Sequence, residues 1–200
     1  MNMLAIVNYM GDSEAKKNYR YGTYRFEYVW EALIDKVFGI EGKEAYFPKT
    51  TWHLEGGNYN NASLEPDTIM IWNNNVYVLD AKYYKYGVTK RPGDLPESTS
   101  INKQITYGEY IAGEEKFKKI HGDDYVVYNA FLMPFNASSH SWHGNDLIRC
   151  IGNATSSWKH GMAEYENIKG ILVDVKDLMK NGMLQDYEKI EELAGLISCE

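Results

Sequence analysis

Residues 65–82 read EPDTIMIWNNNVYVLDAK, and this stretch decides the fold. Two runs rich in β-branched and aromatic residues, 68–72 and 76–82, flank three asparagines, which tolerate the left-handed conformations of a tight turn. The pattern therefore predicts an antiparallel hairpin. Asp67 precedes the first run and Asp80 lies near the end of the second, at nearly equal distances from the turn, so the hairpin should bring the two carboxylates together.

The second run also places a lysine beside these acids. Side chains alternate between the two faces of a strand, so Asp80 and Lys82 share one face and Ala81 points away. A carboxylate after four apolar residues is unfavourable unless a cation compensates its charge. Two adjacent carboxylates suit Mg²⁺, and Lys82 could orient or deprotonate an attacking water. The alternative is a turn aspartate, a strand-end aspartate and an exposed lysine without catalytic roles.

Apolar periodicity predicts helices on both sides of the hairpin. Apolar positions in 23–38 recur at steps of three and four, as in an amphipathic helix, which ends at Gly39. The other expected elements are a strand at 45–52, a loop at 55–63, a helix at 100–120 with a break near Gly113, strands at 125–135 and 170–175, and a helix at 184–197. This order predicts an α/β fold with a mixed central β-sheet flanked by helices, built as one domain over residues 1–200.

The charge balance limits the functions that the chain could perform alone. With 21 basic and 28 acidic residues and a net charge of −7, it lacks the basic surface of proteins that bind duplex DNA unaided. A nuclease that receives its DNA from a basic partner is not excluded. No apolar run approaches the roughly 20 residues of a membrane-spanning helix, and the N-terminus lacks the basic start of a signal peptide. We therefore expect a cytoplasmic protein without membrane contacts.

Pro66-Asp67 and Asp80-Ala81-Lys82, separated by a hairpin turn, resemble the motif of the PD-(D/E)xK nuclease superfamily. The resemblance implies a restriction-endonuclease-like fold in which Asp67 and Asp80 bind Mg²⁺, with Mn²⁺ able to substitute, and Lys82 assists the water that hydrolyses a phosphodiester. It extends over residues 22–107, within a motif-bearing core of about 22–135.

Two helices add further candidates through the same resemblance. The family's first helix carries a metal-assisting glutamate, a role that falls to Glu27, with Glu31 one turn further along as the rival. Gln104 and Tyr107 look like the glutamine and tyrosine that the family places near the scissile phosphate. For each of these residues, a purely structural role is the alternative.

The chain is also similar in length and motif order to the small subunits of heterodimeric type IIS restriction endonucleases. That similarity implies an endonuclease subunit that hydrolyses one strand of double-stranded DNA, and only in complex with a larger, DNA-recognising nicking subunit. Two alternatives stay open: a self-sufficient homodimeric restriction enzyme or junction resolvase of the same superfamily, and a non-catalytic nuclease-like assembly subunit.

Overall fold

The computed structural model describes residues 23–139, 142, 144, 146–159, 161–181 and 185–199. The N-terminal residues on which the argument about export depends lie outside these ranges. The helices are α1 (Phe26–Phe38), α2 (Tyr86–Thr89), α3 (Ser98–Gly113), α4 (Glu115–His121), α5 (Val175–Asn181) and α6 (Tyr187–Ser198). The strands are β1 (Thr51–Leu54), β2 (Gly57–Asn60), β3 (Thr68–Trp72), β4 (Asn75–Ala81), β5 (Val127–Phe135), β6 (Ile148–Ala154) and β7 (Ile168–Asp174).

Five strands form the central sheet, in the order β3-β4-β5-β7-β6. Strand β5 runs parallel to β4 and β7, whereas β3 and β6 pair with their neighbours in antiparallel fashion. Buried residues of α1, α5 and α6 pack on one face of the sheet, and buried residues of α3 and α4 pack on the other. The predicted α/β fold, a mixed sheet flanked by helices, is confirmed, and it is consistent with a restriction-endonuclease-like architecture.

The hairpin predicted from residues 65–82 forms as expected. Thr68 pairs with Leu79 and Trp72 with Asn75 across the β3–β4 ladder. Asn73 and Asn74 have φ angles of 48° and 64°, the left-handed conformations that the two-residue turn requires.

Helix α1 lies over the end of this hairpin. Its buried residues Trp30, Ile34, Val37 and Phe38 join the core, and the helix ends at Gly39 as predicted. The indole Nε1 of Trp30 donates a 3.0 Å hydrogen bond to the carbonyl of Leu132. The backbone N–H of Lys82, the residue after β4, donates to the same carbonyl. Helix α1 and the C-terminal end of β4 are therefore both hydrogen-bonded to one residue of β5.

The segment before the hairpin differs from the expectation. The predicted strand at 45–52 is wrong over residues 45–50, because Lys43–Tyr46 is a 3-10 turn and the strand begins only at Thr51. Tyr46 instead stacks on Phe117 at 4.6 Å between ring centroids, which fixes the turn against α4. The predicted loop at 55–63 is wrong in part, since Gly57–Asn60 forms strand β2.

The later elements follow the sequence pattern. The break expected near Gly113 separates α3 from α4, and the strands expected at 125–135 and 170–175 correspond to β5 and β7. The last predicted helix corresponds to α6. Among the described residues, we find no helix of the length and apolarity needed to cross a membrane.

Candidate active site

Two aspartates meet where the β3–β4 hairpin opens. The pairing of Thr68 with Leu79, extended by one step, sets Asp67 opposite Asp80, close enough for the Asp80 carboxylate to raise the pKa of Asp67. Asp67 Oδ2 also accepts a 2.8 Å hydrogen bond from the backbone N–H of Ala81. Backbone register therefore assembles the pair.

Lys82 completes this cluster from the same strand. Its Nζ lies 2.5 Å from Asp80 Oδ2 and is partly accessible, whereas the Asp80 side chain is buried. The structure thus brings together Asp67, Asp80 and Lys82, the three residues that the sequence pattern places in one site.

The pair of carboxylates is electrostatically unfavourable without a cation. Burial, together with the negative charge of Asp80, raises the pKa of Asp67 to about 7, while the hydrogen bond from Ala81 and the charge of Lys82 act in the opposite direction. A second carboxylate at hydrogen-bonding distance makes ionisation of both groups costly. A divalent cation would remove this penalty.

Helix α1 faces the cluster with acidic side chains. Burial raises the pKa of Glu31, the charge of Lys82 lowers it, and the charges of Asp80 and Glu27 raise it further. Glu31 is therefore electrostatically coupled to both Asp80 and Lys82. Glu27 is coupled to Glu31 one turn away, and its assignment as the metal-assisting acid stays a prediction.

Helix α3 contributes differently from the sequence-based expectation. Gln104 is buried and its Nε2 donates a 2.7 Å hydrogen bond to the carbonyl of Val78 in β4. Tyr107 is also buried, and its hydroxyl donates to the carbonyl of Glu65. Both residues hold α3 against the hairpin that carries the aspartates, and a role at the phosphate stays a prediction for each.

The neighbouring Lys103 was not singled out from the sequence. Its ammonium group lies 5.5 Å from the centroid of the Tyr107 ring. A hydrogen bond with Tyr107 raises the pKa of Lys103, as do the charges of Asp80 and Asp67, while burial lowers it. Lys103 thus adds a second cation to the field at the aspartates. Lys103 directly precedes Gln104 in the helix. The sequence alone does not show which of the two neighbours lies near the charges of the aspartates, because that depends on how α3 is rotated about its axis.

A third lysine fixes the start of β3. Lys43, in the 3-10 turn, donates a 2.5 Å hydrogen bond to the backbone carbonyl of Asp67 and lies 2.7 Å from Asp35 Oδ1. Asp35 Oδ1 also accepts a hydrogen bond from the Thr68 hydroxyl. No motif marks Lys43 or Asp35 in the sequence, because each acts on a strand more than twenty residues away.

Asp67 forms part of the wall of an open cleft of about 590 Å³ between α1 and the segment that precedes β3. The charged residues that line it are mostly acidic: Glu31, Asp35, Glu44, Glu65 and Asp67, with Lys43 as the cation. A surface of this charge attracts metal ions and repels phosphate unless a cation lies between them.

The donor set fits Mg²⁺ in part. Within the described ranges, no group of three or more His, Cys, Asp and Glu side chains is arranged to hold a metal ion. Mg²⁺, however, typically takes one or two carboxylates and completes its octahedron with waters and substrate phosphate oxygens. The paired oxygens of Asp67 and Asp80 satisfy that requirement.

Comparisons with known proteins agree with this chemistry. No curated protein matches the chain. The family model described as LlaJI restriction endonuclease matches residues 2–149, which is most of the chain and includes α1, the β3–β4 hairpin and α3. Restriction endonucleases act on DNA and generally use divalent metals. This match shows that the chain belongs to the LlaJI restriction endonuclease family.

Proposed function

We propose that this restriction-system nuclease is a Mg²⁺-dependent endodeoxyribonuclease of the PD-(D/E)xK type, and that residues 1–200 form one catalytic domain. The observation that carries the proposal is the contact between Asp67 and Asp80, with Lys82 at 2.5 Å from Asp80. The three side chains that the motif requires lie together where the β3–β4 hairpin opens, with Asp80 buried and Lys82 partly accessible.

Each residue has a defined part in the proposed hydrolysis. Asp67 and Asp80 would hold Mg²⁺, which supplies Lewis-acid chemistry to the phosphodiester when bound. Lys82 orients the attacking water or shuttles its proton, since its ammonium is partly accessible beside Asp80. Lys103 stabilises charge that develops on the phosphate. A carboxylate of α1, Glu27 or Glu31, assists at the metal.

The acidic cleft also supports a dependence on a partner. A net charge of −7 and five acidic residues around the cleft leave little attraction for a duplex at physiological salt. We therefore propose that this chain cuts one strand within a complex, and that a larger DNA-recognising nicking subunit positions the duplex, as in type IIS enzymes.

The decisive variant is Asp80→Ala, tested with the candidate partner on a strand-labelled duplex. It should abolish cutting of one strand, because the substitution removes a proposed metal-binding carboxylate. It should leave the circular dichroism spectrum and partner binding unchanged, because it removes little side-chain volume. Asp123→Ala removes the same charge from an exposed position and serves as the matched control. Near-normal cutting by Asp80→Ala would exclude Asp80 from the site.

Metal binding provides a second readout that does not require the partner. Titration calorimetry with Mg²⁺ or Mn²⁺ should show binding to the unmodified chain and to Asp123→Ala, and none to Asp80→Ala. Equal binding by all three proteins would contradict the proposed ligand set.

A further inference from the structure

The β1–β2 hairpin, here named the ribbon, stands outside the layers of the sheet and helices. All residues of Thr51–Leu54 and Gly57–Asn60 are exposed, and within the described residues its two strands pair only with each other. A two-stranded hairpin is at best marginally stable alone and here adds nothing to the buried core. Its side chains are therefore available for binding.

The ribbon has two chemically distinct faces. Cross-strand pairs Thr51–Asn60 and His53–Asn58 alternate with Trp52–Tyr59 and Leu54–Gly57, so one face is polar and the other apolar. The polar pairs are hydrogen-bonded across the strands, with Thr51 Oγ1 at 2.8 Å from Asn60 Oδ1 and His53 Nδ1 at 2.9 Å from Asn58 Oδ1.

These cross-strand bonds leave a defined pattern for a ligand. The amide oxygen of Asn58 can only accept, so the hydrogen of the 2.9 Å bond belongs to His53 Nδ1. This bond leaves Nε2 of His53 and the donor Nδ2 of Asn58 available to a ligand. Side chains with such groups read the edges of base pairs.

The foot of the ribbon adjoins the cleft that contains Asp67. Backbone hydrogen bonds of 2.9 Å from Asn61 to Thr50 and from Leu64 to Pro48 close its base. The residues that flank this base, Phe47 and Glu65, line the cleft together with Asp67. The ribbon therefore stands next to the cleft in which a phosphate would reach Asp67.

Charge also favours a nucleic acid at the polar face. Residues 49–63 contain one lysine, Lys49, and one acidic residue, Glu55, which lies at the turn. The segment is thus neutral in a chain of net charge −7, and the polar face between base and turn carries no carboxylate. A duplex could therefore approach this polar face without repulsion from a carboxylate of the ribbon.

We propose that the polar face of the ribbon enters the major groove of the DNA being cut and hydrogen-bonds to base edges through His53 and Asn58. The major groove is about 12 Å wide and about 8.5 Å deep and admits a two-stranded β-ribbon. Strands of four residues extend about 13 Å, enough to reach the groove floor. This inference depends on the proposed function, since it takes the nuclease's substrate as the occupant.

A protein partner on the apolar face is the competing explanation. That face has three large side chains, Trp52, Leu54 and Tyr59, and stable protein interfaces bury about 1,200 Å² or more, from both partners together. Three side chains on a ribbon of eight residues fall short of that area, so the observations favour DNA on the polar face.

Site-specific photo-crosslinking distinguishes the two faces. A benzophenone amino acid is placed at Asn58 or at Leu54 of the full chain, which is irradiated at low salt with a labelled, randomised short duplex. We expect a DNA adduct several times stronger from position 58 than from position 54. An adduct that is equal or stronger at position 54, or no adduct from position 58, would overturn the proposal.

Affinity measurements supply the second test. By fluorescence anisotropy at low salt, the double variant His53→Ala with Asn58→Ala should bind the duplex about fivefold or more weakly. The matched control Leu54→Thr changes the other face and keeps a β-forming residue, so its affinity should stay unchanged. Loss of affinity in the control alone would assign binding to the apolar face and refute the inference.

The proposed function can fail separately from this inference. Asp80→Ala should bind the duplex as the unmodified chain does, because the ribbon and not the aspartate makes the base contacts. Cutting by Asp80→Ala would refute the proposed chemistry even where the ribbon crosslinks to DNA. Unchanged duplex affinity of the double variant of His53 and Asn58 would refute DNA binding by the ribbon, even if Asp80→Ala is inactive in cleavage.

Discussion

Replacing Asp67 by Asn should stabilise the fold while it abolishes cutting. The isosteric amide keeps an oxygen for the Ala81 N–H and a donor for Asp80, but it removes one of the two like charges. Asp67 would then be an example of a residue that is retained for chemistry at the expense of stability.

The magnitude follows from the pKa of Asp67. A carboxyl group whose pKa is higher in the folded than in the unfolded chain binds more protons when folded, so the free energy of unfolding falls as pH rises between the two values. A rise from 3.8 to about 7 corresponds to about 4 kcal/mol at pH 8. Because the buried amide must also be accommodated, we expect Asp67→Asn to recover about 2 to 3 kcal/mol.

Thermal unfolding at several pH values measures this effect. At pH 8 without divalent metal, the midpoint for Asp67→Asn should lie about 4 to 12 °C above that of the unmodified chain. The difference should shrink towards pH 4, where Asp67 is protonated in the folded state. Asp123→Asn controls for the loss of an exposed charge. If the unfolding midpoint does not rise, or if its rise does not change with pH, repulsion from Asp80 does not destabilise the fold and the reasoning is refuted.

Three further predictions concern the neighbouring charges and the partner. In single-turnover cleavage, Glu31→Gln should lower the rate more than Glu27→Gln, because Glu31 is electrostatically coupled to Asp80 and Lys82. A larger loss for Glu27→Gln would instead support Glu27 as the metal-assisting acid, as the sequence predicts. Lys103→Met should lower the cleavage rate about tenfold or more, because it removes a cation at the phosphate. The control Lys116→Met, further along the chain, should have no effect. Equal cleavage rates for the two variants would exclude Lys103 from the site. The isolated chain should neither bind nor cut a duplex at physiological salt, and adding the partner should give cutting of one strand at a fixed offset; efficient double-strand cutting by the isolated chain would favour the homodimer.

The part of the site that the sequence predicts is the part that local rules determine. Two strands, a two-residue turn and the alternation of side chains are enough to set Asp67 opposite Asp80 and to turn Lys82 towards it. Each step depends on residues close in sequence. For the same reason, the C-terminal end of α1 and the break near Gly113 are predictable, whereas α1 begins at Phe26 and not at residue 23.

The residues that the sequence does not reveal act over long separations. Lys43 reaches the backbone of Asp67 from a 3-10 turn that the sequence does not predict. The packing of Tyr46 on Phe117 holds the end of this turn, where the predicted strand at 45–52 would begin. In α3, periodicity identifies the buried side but not which residue at its edge faces the aspartates, so Lys103 escapes notice beside Gln104. The ribbon is missed because Gly56, Gly57 and the asparagines suggest a loop.

The charges of the site also link metal binding to DNA binding. A cleft with five acidic residues and one lysine repels a phosphodiester, so on the proposed function a phosphate would gain affinity for Asp67 and Asp80 only when a divalent cation neutralised them. By thermodynamic reciprocity, a bound phosphodiester then raises the affinity of the same site for the cation. A ribbon that contacts base edges, as proposed, would need no such neutralisation, because its polar face carries no carboxylate. On these proposals, the ribbon and a partner would engage a duplex at any metal concentration, whereas the scissile phosphate would enter the cleft only together with the ion that the proposed chemistry requires.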